Sequence, residues 1–337
     1  MKKYTSIILT GSMFMLVGSV IRLAFSFLRN IYVGRTLGPE ILGTFTMANT
    51  IYGVLAVIAL FGMDAVLNRF IPQFRDSDNR GLNSVIGTAL KFATITSLLL
   101  VIVTIIISPM MSTLFNDDAL KVVLTILIIT LPFQSGMMLI TAAATAFETT
   151  KLQALERLVI VPLLFFLFVI IFNQFQLDEI VLPLSFLLAN VVSFISSVIL
   201  AKYSVLKNIS LLSSWKYFDK RYLFYAWPLF GTKIVYFFMA WFDTFAIGYF
   251  LSPREVGIYV ITLLIVEIPV NVLIALNSIF FPTIAGIISR KEVAKVTQLY
   301  QDAVRVLGLI TLPMFGFLLV YAPELMQLFG EGFRIPF

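Results

Sequence analysis

The sequence contains no histidine and no cysteine. Without histidine, the usual acid/base at neutral pH and the commonest metal ligand are both missing. Without cysteine, thiol nucleophiles, disulfides and thiolate metal sites are excluded, and the redox compartment leaves no trace. Charge is scarce as well: Asp, Glu, Lys and Arg make up 12% of 337 residues, against about 25% in an ordinary soluble domain. No metal and no cofactor is expected.

Apolar residues fill the space, at 60% of the chain with a mean hydropathy of +0.99. They form runs of roughly 20 residues or more, the length a helix needs to cross a hydrocarbon core of about 30 Å. The chain therefore reads as an all-α polytopic membrane protein. About nine spans are expected, at roughly 6–33, 41–66, 84–107, 119–146, 154–173, 180–201, 222–249, 256–281 and 304–321. The first follows Lys2 and Lys3, is too long for a signal-peptide core and lacks a small-x-small cleavage site, so it reads as a retained helix. With the N-terminus inside, seventeen Lys and Arg residues fall in inner loops and flanks and four in outer ones (Arg35, Lys121, Arg254 and Arg334), as cytoplasmic retention of positive charge requires. That asymmetry also accounts for the formal charge of +6 without nucleic acid. A multi-pass protein of the cytoplasmic membrane, in contact with membrane lipids, is the expectation.

One motif invites an enzymatic reading. Asp76-Ser77-Asp78 has the spacing of a metal- or sugar-phosphate-binding carboxylate pair in a membrane glycan transferase. It lies in a short loop, FRDSDNRG, on the expected inner side, and its residues are ordinary turn formers. A solvated turn is the preferred reading, with the transferase or ligase kept as the alternative from another functional class.

The most informative feature is an internal repeat. LGPEILGTF (Leu37 to Phe45) returns as LSPREVGIY (Leu251 to Tyr259) at an offset of 214, and SPMMSTLF (Ser108 to Phe115) meets APELMQLF (Ala322 to Phe329) at the same offset. Pro72 and Pro282 match only across a four-residue gap. Six expected spans separate the copies, so both face the same way, and parallel repeats are a transporter architecture.

The pattern RxLGPExxGxF at Arg35 to Phe45, after a first helix carrying arginines and before the NRFIP element at Asn68 to Pro72, resembles the polysaccharide flippases of the multidrug/oligosaccharidyl-lipid/polysaccharide (MOP) superfamily. The resemblance implies a MOP/MATE-like fold with two six-helix lobes around a cavity that opens alternately to each side. It implies as substrate a lipid-linked oligosaccharide on a polyprenyl pyrophosphate, moved from the inner to the outer leaflet. It further implies association with glycosyltransferase or glycan polymerisation machinery and coupling to H+ or Na+. An ion-coupled multidrug-type exporter shares the architecture and is the alternative within transport. On this reading residues 1–205 form a complete six-helix lobe, 206–221 a basic cytoplasmic linker, and 222–337 three helices of a second, parallel-repeat lobe. Phe337 corresponds to Val123 of the first repeat, so the chain is expected to be a fragment of a longer protein.

Candidate site residues follow from polarity inside the spans, where ionisable groups normally face a bundle interior or a wet cavity. Ser19, Arg22, Ser26 and Arg29 recur at spacings of 3, 4 and 3 and share one helix face. The offset maps them onto Lys233, Tyr236, Ala240 and Asp243 in the seventh span. Two such stripes would line a cationic chamber suited to a pyrophosphate, so Arg22, Arg29, Ser26, Lys233 and Tyr236 are the candidate substrate-binding residues. For Arg29 an ion pair with Asp243 that locks the lobes is an equal alternative, and bonding to helix carbonyls is the alternative for Arg22 and Lys233. Glu267, which leads a stripe with Asn271, Ile274 and Ser278, joins Asp64 and Asp243 as a candidate for ion coupling, against a structural hydrogen bond or cap. Glu148, Lys151, Glu156 and Arg157 read as a solvated inner connector or gate. The linker, with Leu206, Ile209, Leu212, Trp215 and Phe218 at near-helical spacing, reads as a membrane-surface segment or a plain tether.

Overall fold

The computed structural model describes the backbone of residues 2–75, 79–147, 150–204, 215–289 and 293–334, and side chains from residue 14 onward except at 16 and at most positions between 271 and 295. The Asp76-Ser77-Asp78 turn, Glu148, and linker residues 205–214 lie outside the described residues, as do the side chains of Asn271, Ile274 and Ser278. The described chain is helical throughout: α1 (Lys2–Thr36), α2 (Gly38–Leu60), α3 (Met63–Phe74), α4 (Asn79–Leu114), α5 (Asp118–Ile129), α6 (Leu131–Ala146), α7 (Thr150–Ala154), α8 (Val161–Asn173), α9 (Val181–Ser204), α10 (Lys220–Phe250), α11 (Pro253–Ser289) and α12 (Val293–Gln327). Among the described residues seven segments are long and apolar enough to cross a membrane: Gly38–Phe74, Asn79–Leu114, Asp118–Ala146, Thr150–Asn173, Asp178–Ser204, Lys220–Phe250 and Val296–Gln327. They coincide with the second to seventh and the ninth of the expected spans. The first and eighth fall on α1 and α11, which are helices in the expected places.

Local chemistry explains the breaks. Gly38, at φ +83°, supplies the left-handed residue that ends α1, and Pro39 follows in the first turn of α2, where its missing N–H has no helical partner to lose. Phe61 and Gly62, at φ +48° and +78°, interrupt the second span between α2 and α3. The helix then resumes as far as Phe74, so this span runs further than the sequence pattern suggests. Between α7 and α8 the segment Leu155–Ile160 is π-helical, a widened turn that in helices marks functional positions more often than chance. Asp219 caps α10, accepting from the Arg221 backbone N–H at 2.9 Å, while its own N–H donates to Thr88 Oγ1 of α4 at 3.0 Å. Hydrogen bonds from the Arg221 side chain hold the Asp219 carboxyl below its ordinary range, so the cap is charged at neutral pH.

Two compact units account for the described chain: residues 1–29 with 39–257, and residues 30–38 with 258–337. In the first unit the apolar core joins α3 (Met63, Leu67, Ile71), α4 (Val85, Ile86, Ala89, Ala93), α6 (Leu139, Ala142, Ala143, Ala146) and α10 (Tyr222, Ala226). The repeated alanines let the helix backbones approach closely, which is how helices gain packing energy where lipid offers no hydrophobic incentive. In the second unit Arg35 Nε donates to the Leu328 carbonyl at 2.8 Å, Gly34 lies against the backbone of Phe329, and Phe329 and Phe333 are buried.

The two repeat turns meet inside the first unit, and they meet reciprocally. The Pro253 carbonyl presses on Gly43, and the Pro39 carbonyl presses on Gly257; each glycine and proline is the repeat equivalent of the other. The second pair of repeat anchors behaves in the same way. Phe115 packs edge-on to Tyr249 at 6.3 Å in the first unit, while its equivalent Phe329 sits beside Gly34 and Leu328 binds Arg35 in the second. Since Tyr249 is 214 positions beyond Arg35, each repeat receives the end of the other repeat's first helix. This exchange explains why α10 packs with the first unit and residues 30–38 with the second.

A methyl group at Gly43 or Gly257 has nowhere to go except into a prolyl carbonyl. Gly43→Ala and Gly257→Ala should each destabilise the folded protein by about 1–3 kcal/mol, the usual effect of overpacking. Gly231→Ala, on α10 with open space around it, should be neutral or stabilising by up to about 1 kcal/mol. Thermal melting of the three variants in the same detergent checks the order, and a Gly43 variant as stable as the Gly231 variant would contradict it.

Candidate functional site

The strongest polar constellation is built by three helical segments of the first unit. Asp64 stands in the first turn of α3, immediately after the Phe61–Gly62 break. Lys233 lies near the middle of α10, and its Nζ donates to both Asp64 carboxylate oxygens, at 2.5 and 2.6 Å. Arg157, in the π-helical segment, lies within electrostatic reach of the same carboxylate. Asp64 is ten residues from the end of α3 at Phe74, about 15 Å at 1.5 Å per residue, and Lys233 is about 20 Å from the start of α10 by the same rise. The pair is therefore deep in the span. A second span of 41–66 would put Asp64 close to its end, but α3 carries the span past the break to Phe74. The Lys233 and Asp64 side chains remain 36% and 32% exposed.

The other expected residues are placed as follows. Arg22 is exposed on α1, and among the described residues it has no hydrogen-bonding or ionic partner. Arg29 lies with its guanidinium 4.5 Å over the Phe165 ring, and its Nη2 donates to Ser26 Oγ at 3.5 Å. Tyr236 is exposed on α10. Asp243 accepts from the Thr244 N–H at 2.7 Å. Glu267 is exposed on α11, in the second unit. The structure thus joins Asp64 with Lys233, which the sequence pattern assigns to different tasks.

The inner charge cluster needs correction. Lys151 is exposed, with Nζ 5.2 Å over the Phe14 ring, but Glu156 is completely buried rather than solvated. Ser196 Oγ donates to Glu156 Oε1 at 2.7 Å. Among the described residues Glu156 Oε2, Ser193 Oγ and Asn190 Oδ1 have no hydrogen-bond partner. The π-turn explains the burial, since one extra residue per turn rotates the side chain onto the face that meets α9. The signal that could have found it is the polar row Asn190, Ser193, Ser196 and Ser197 on an otherwise apolar helix. Further polar contacts tie α2 to its neighbours: Thr44 Oγ1 donates to Asp117 Oδ2 at 2.6 Å, and the Tyr52 hydroxyl donates to Gln134 Oε1.

A family model described as polysaccharide biosynthesis protein matches residues 32–333. The chain belongs to that family. Its fold is similar to two solved multidrug resistance MATE family transporters of the MOP superfamily. One, in an inward-facing conformation, superposes with a TM-score of 0.61 at 17% identity over 93% of this chain and 76% of that one. The other, in an outward-facing conformation, gives 0.60 at 18% identity over 96% and 73%. No curated relative matches the chain. The protein is thus a multi-pass membrane protein of the polysaccharide biosynthesis family with a MATE-like transporter fold.

Removing one charge of the Asp64–Lys233 pair strands the other inside the membrane. Exposed pairs contribute about 0–1 kcal/mol and fully buried ones cost about 3–5 kcal/mol when broken, so a pair about one-third exposed should lose about 1–2 kcal/mol. Asp64→Asn and Lys233→Gln should each show that loss, and the double variant should recover most of it. Additive losses in the double variant, measured by melting in detergent, would mean the two side chains do not act as a pair.

Proposed function

We propose that the chain is a flippase, translocating a lipid-linked oligosaccharide or polysaccharide repeat unit from the inner to the outer leaflet by alternating access, with no covalent chemistry. The proposal takes residues 1–205 as one lobe and 222–337 as part of a second, with the N-terminus in the cytoplasm. The observation that carries it is the charged constellation of Asp64, Lys233 and Arg157, deep in the spans of a polysaccharide biosynthesis protein with a transporter fold. An ionisable group at that depth is costly and marks a transport pathway more often than a scaffold.

The chemistry of the substrate fits these groups. A pyrophosphate offers several oxygens to bind guanidinium and ammonium groups by charge-assisted hydrogen bonds. Arg22, unpartnered and exposed, offers the first contact, with Arg29, Ser26 and Tyr236 along the same two helices. Lys233 becomes available to an anion when Asp64 lets it go. Protonation of Asp64 or capture of Na+ by it would release Lys233, so the same carboxylate would link ion and substrate binding; Glu267 and Asp243 are the further coupling candidates. A polyprenyl pyrophosphate glycan is the substrate in this reading, supplied by glycosyltransferases and passed on for polymerisation.

The test uses a strain lacking lipid-linked glycan export. Arg22→Ala should abolish export while leaving membrane abundance nearly unchanged, and Arg22→Lys should keep part of it, since the point charge survives without the planar fork. Both quantities are read on the same samples: folded protein in the membrane and lipid-linked glycan at the outer leaflet. Full export by the alanine variant, or equal proportional losses of protein and export, would remove Arg22 from the binding site. Export of cationic amphipaths without movement of lipid-linked glycan would replace the flippase by a multidrug-type exporter, and a covalently altered glycan would replace it by a transferase.

A further inference from the structure

The π-helical turn at Leu155–Ile160 has a local cause. Pro162 follows in the first turn of α8 and has no N–H, so the Leu158 carbonyl four residues before it is left without its α-helical donor. The chain widens instead, and the Val161 N–H donates to the Glu156 carbonyl five residues back. The turn thereby takes in one residue more than an α-turn holds. This offsets the helix faces before and after it by about 100°, the angle per residue at 3.6 residues per turn.

Successive side chains of this turn reach three different helices of the first unit. Glu156 enters the seam with α9, where it is completely buried and accepts from Ser196 Oγ at 2.7 Å. Arg157 acts on Asp64 of α3, the carboxylate that Lys233 of α10 also holds. Leu158 fills the space over Gly18 of α1, so closely that a methyl group on that glycine would lie 3.0 Å from it. Among the described residues Arg157 makes no hydrogen bond. With no directional bond to hold the guanidinium, its place is set by the backbone that carries it.

Glu156 fixes that backbone. A carboxyl enclosed in a membrane span is costly, and a leucine would fill the same space without that cost. Apolar packing tolerates rotation, whereas a hydrogen bond has a preferred direction, and buried polar groups are best used where they fix a register. Ser193 Oγ faces the same carboxyl without closing a hydrogen bond, and among the described residues Glu156 Oε2 has no donor. The register therefore hangs on the hydroxyls of α9. If the turn reverted to α-helical geometry, the side chains before Val161 would swing by about 100°. Glu156 would leave Ser196 and Arg157 would leave Asp64 in the same movement.

We propose that Glu156 is a positioning residue for the charged constellation: its hydrogen bond to α9 locks the π register, and that register holds Arg157 beside the Asp64–Lys233 pair. The serine row of α9, which makes no hydrogen bond to either member of the pair, thereby governs whether the Asp64 carboxylate meets one cation or two. The inference stands on the geometry of the first unit and holds whatever the protein carries.

The test exploits a chain without native cysteine. Asp64→Cys and Arg157→Cys are introduced together into the full chain, which is purified in detergent and treated with a short bifunctional thiol reagent. Replacing both charges leaves position, and not attraction, to decide the rate. Glu156→Leu keeps the volume and loses the hydrogen bond, and it should slow cross-linking about tenfold, since such rates depend steeply on the placement of the reacting atoms. Ser193→Ala combined with Ser196→Ala should slow it by a similar factor. Glu156→Gln should leave it unchanged, because the amide oxygen still accepts from Ser196. Asp64→Cys paired with Lys233→Cys, on α3 and α10, should cross-link equally in every background, which separates a shifted register from a loosened fold. Unchanged cross-linking of positions 64 and 157 in the leucine and double serine variants would overturn the proposal, even if both melted earlier, because Glu156 would then only support the fold. A loss in Glu156→Gln equal to that in Glu156→Leu would also overturn it, as would a parallel loss at positions 64 and 233. Should Glu156→Leu fail to accumulate, the double serine variant decides alone.

Discussion

Two prolyl carbonyls lying on two glycine α-carbons hold the arrangement on which the rest depends. Inside a membrane, helices are not driven together by apolar burial, and they associate where backbones come close enough for dispersion and weak Cα–H contacts to accumulate. The Pro39–Gly257 and Pro253–Gly43 contacts provide that approach twice, and the two are related by the repeat. From this junction α2 runs through the middle of the first unit, buried along most of its first half, and delivers the chain to the break at Phe61 and Gly62. The direction of α3, and with it the position of Asp64, follows from that break.

The Asp64–Lys233 contact has the opposite character. Desolvating two charges is expensive, and their attraction offsets the cost only with good geometry. A scaffold would be as well served by two leucines. Both Asp64 oxygens are engaged by one ammonium, and both side chains remain partly open. Glu156 marks a different solution: a carboxyl completely buried and met by a serine hydroxyl. One charged pair stays partly exposed and the other carboxyl is enclosed.

Much of the fold was legible in the sequence, because bilayer thickness writes itself as run length and the positions of Gly38 and Pro39 mark a helix boundary. The repeat was legible for a related reason: a turn that must admit a carbonyl against a glycine tolerates few alternatives. Less visible was anything that depends on a departure from ideal helix. Phe61 carries no local signal for a positive φ, so the second span seemed to end at 66 when it continues to Phe74. The π-turn at Leu155–Ile160 rotates Glu156 inward, and helical periodicity assumes that no such rotation occurs. The pairing of Asp64 with Lys233, 169 residues apart, has no counterpart in local spacing at all. The repeat aligned Lys233 with Ser19, which is a statement of ancestry and not of contact.

The exchange of helix ends sets a schedule for assembly. The C-terminal end of α1 finds its partner only at Leu328, 293 residues later along the chain. At a synthesis rate of about 5–20 residues per second, Arg35 waits roughly 15–60 s for that carbonyl to be made. During this interval the last turn of α1 lacks the Leu328 carbonyl and the Phe329 backbone that Arg35 and Gly34 meet in the folded protein. The chain must hold that end uncommitted while the eleven helices α2 to α12 emerge. Insertion of the early spans is thereby separated in time from their final closure.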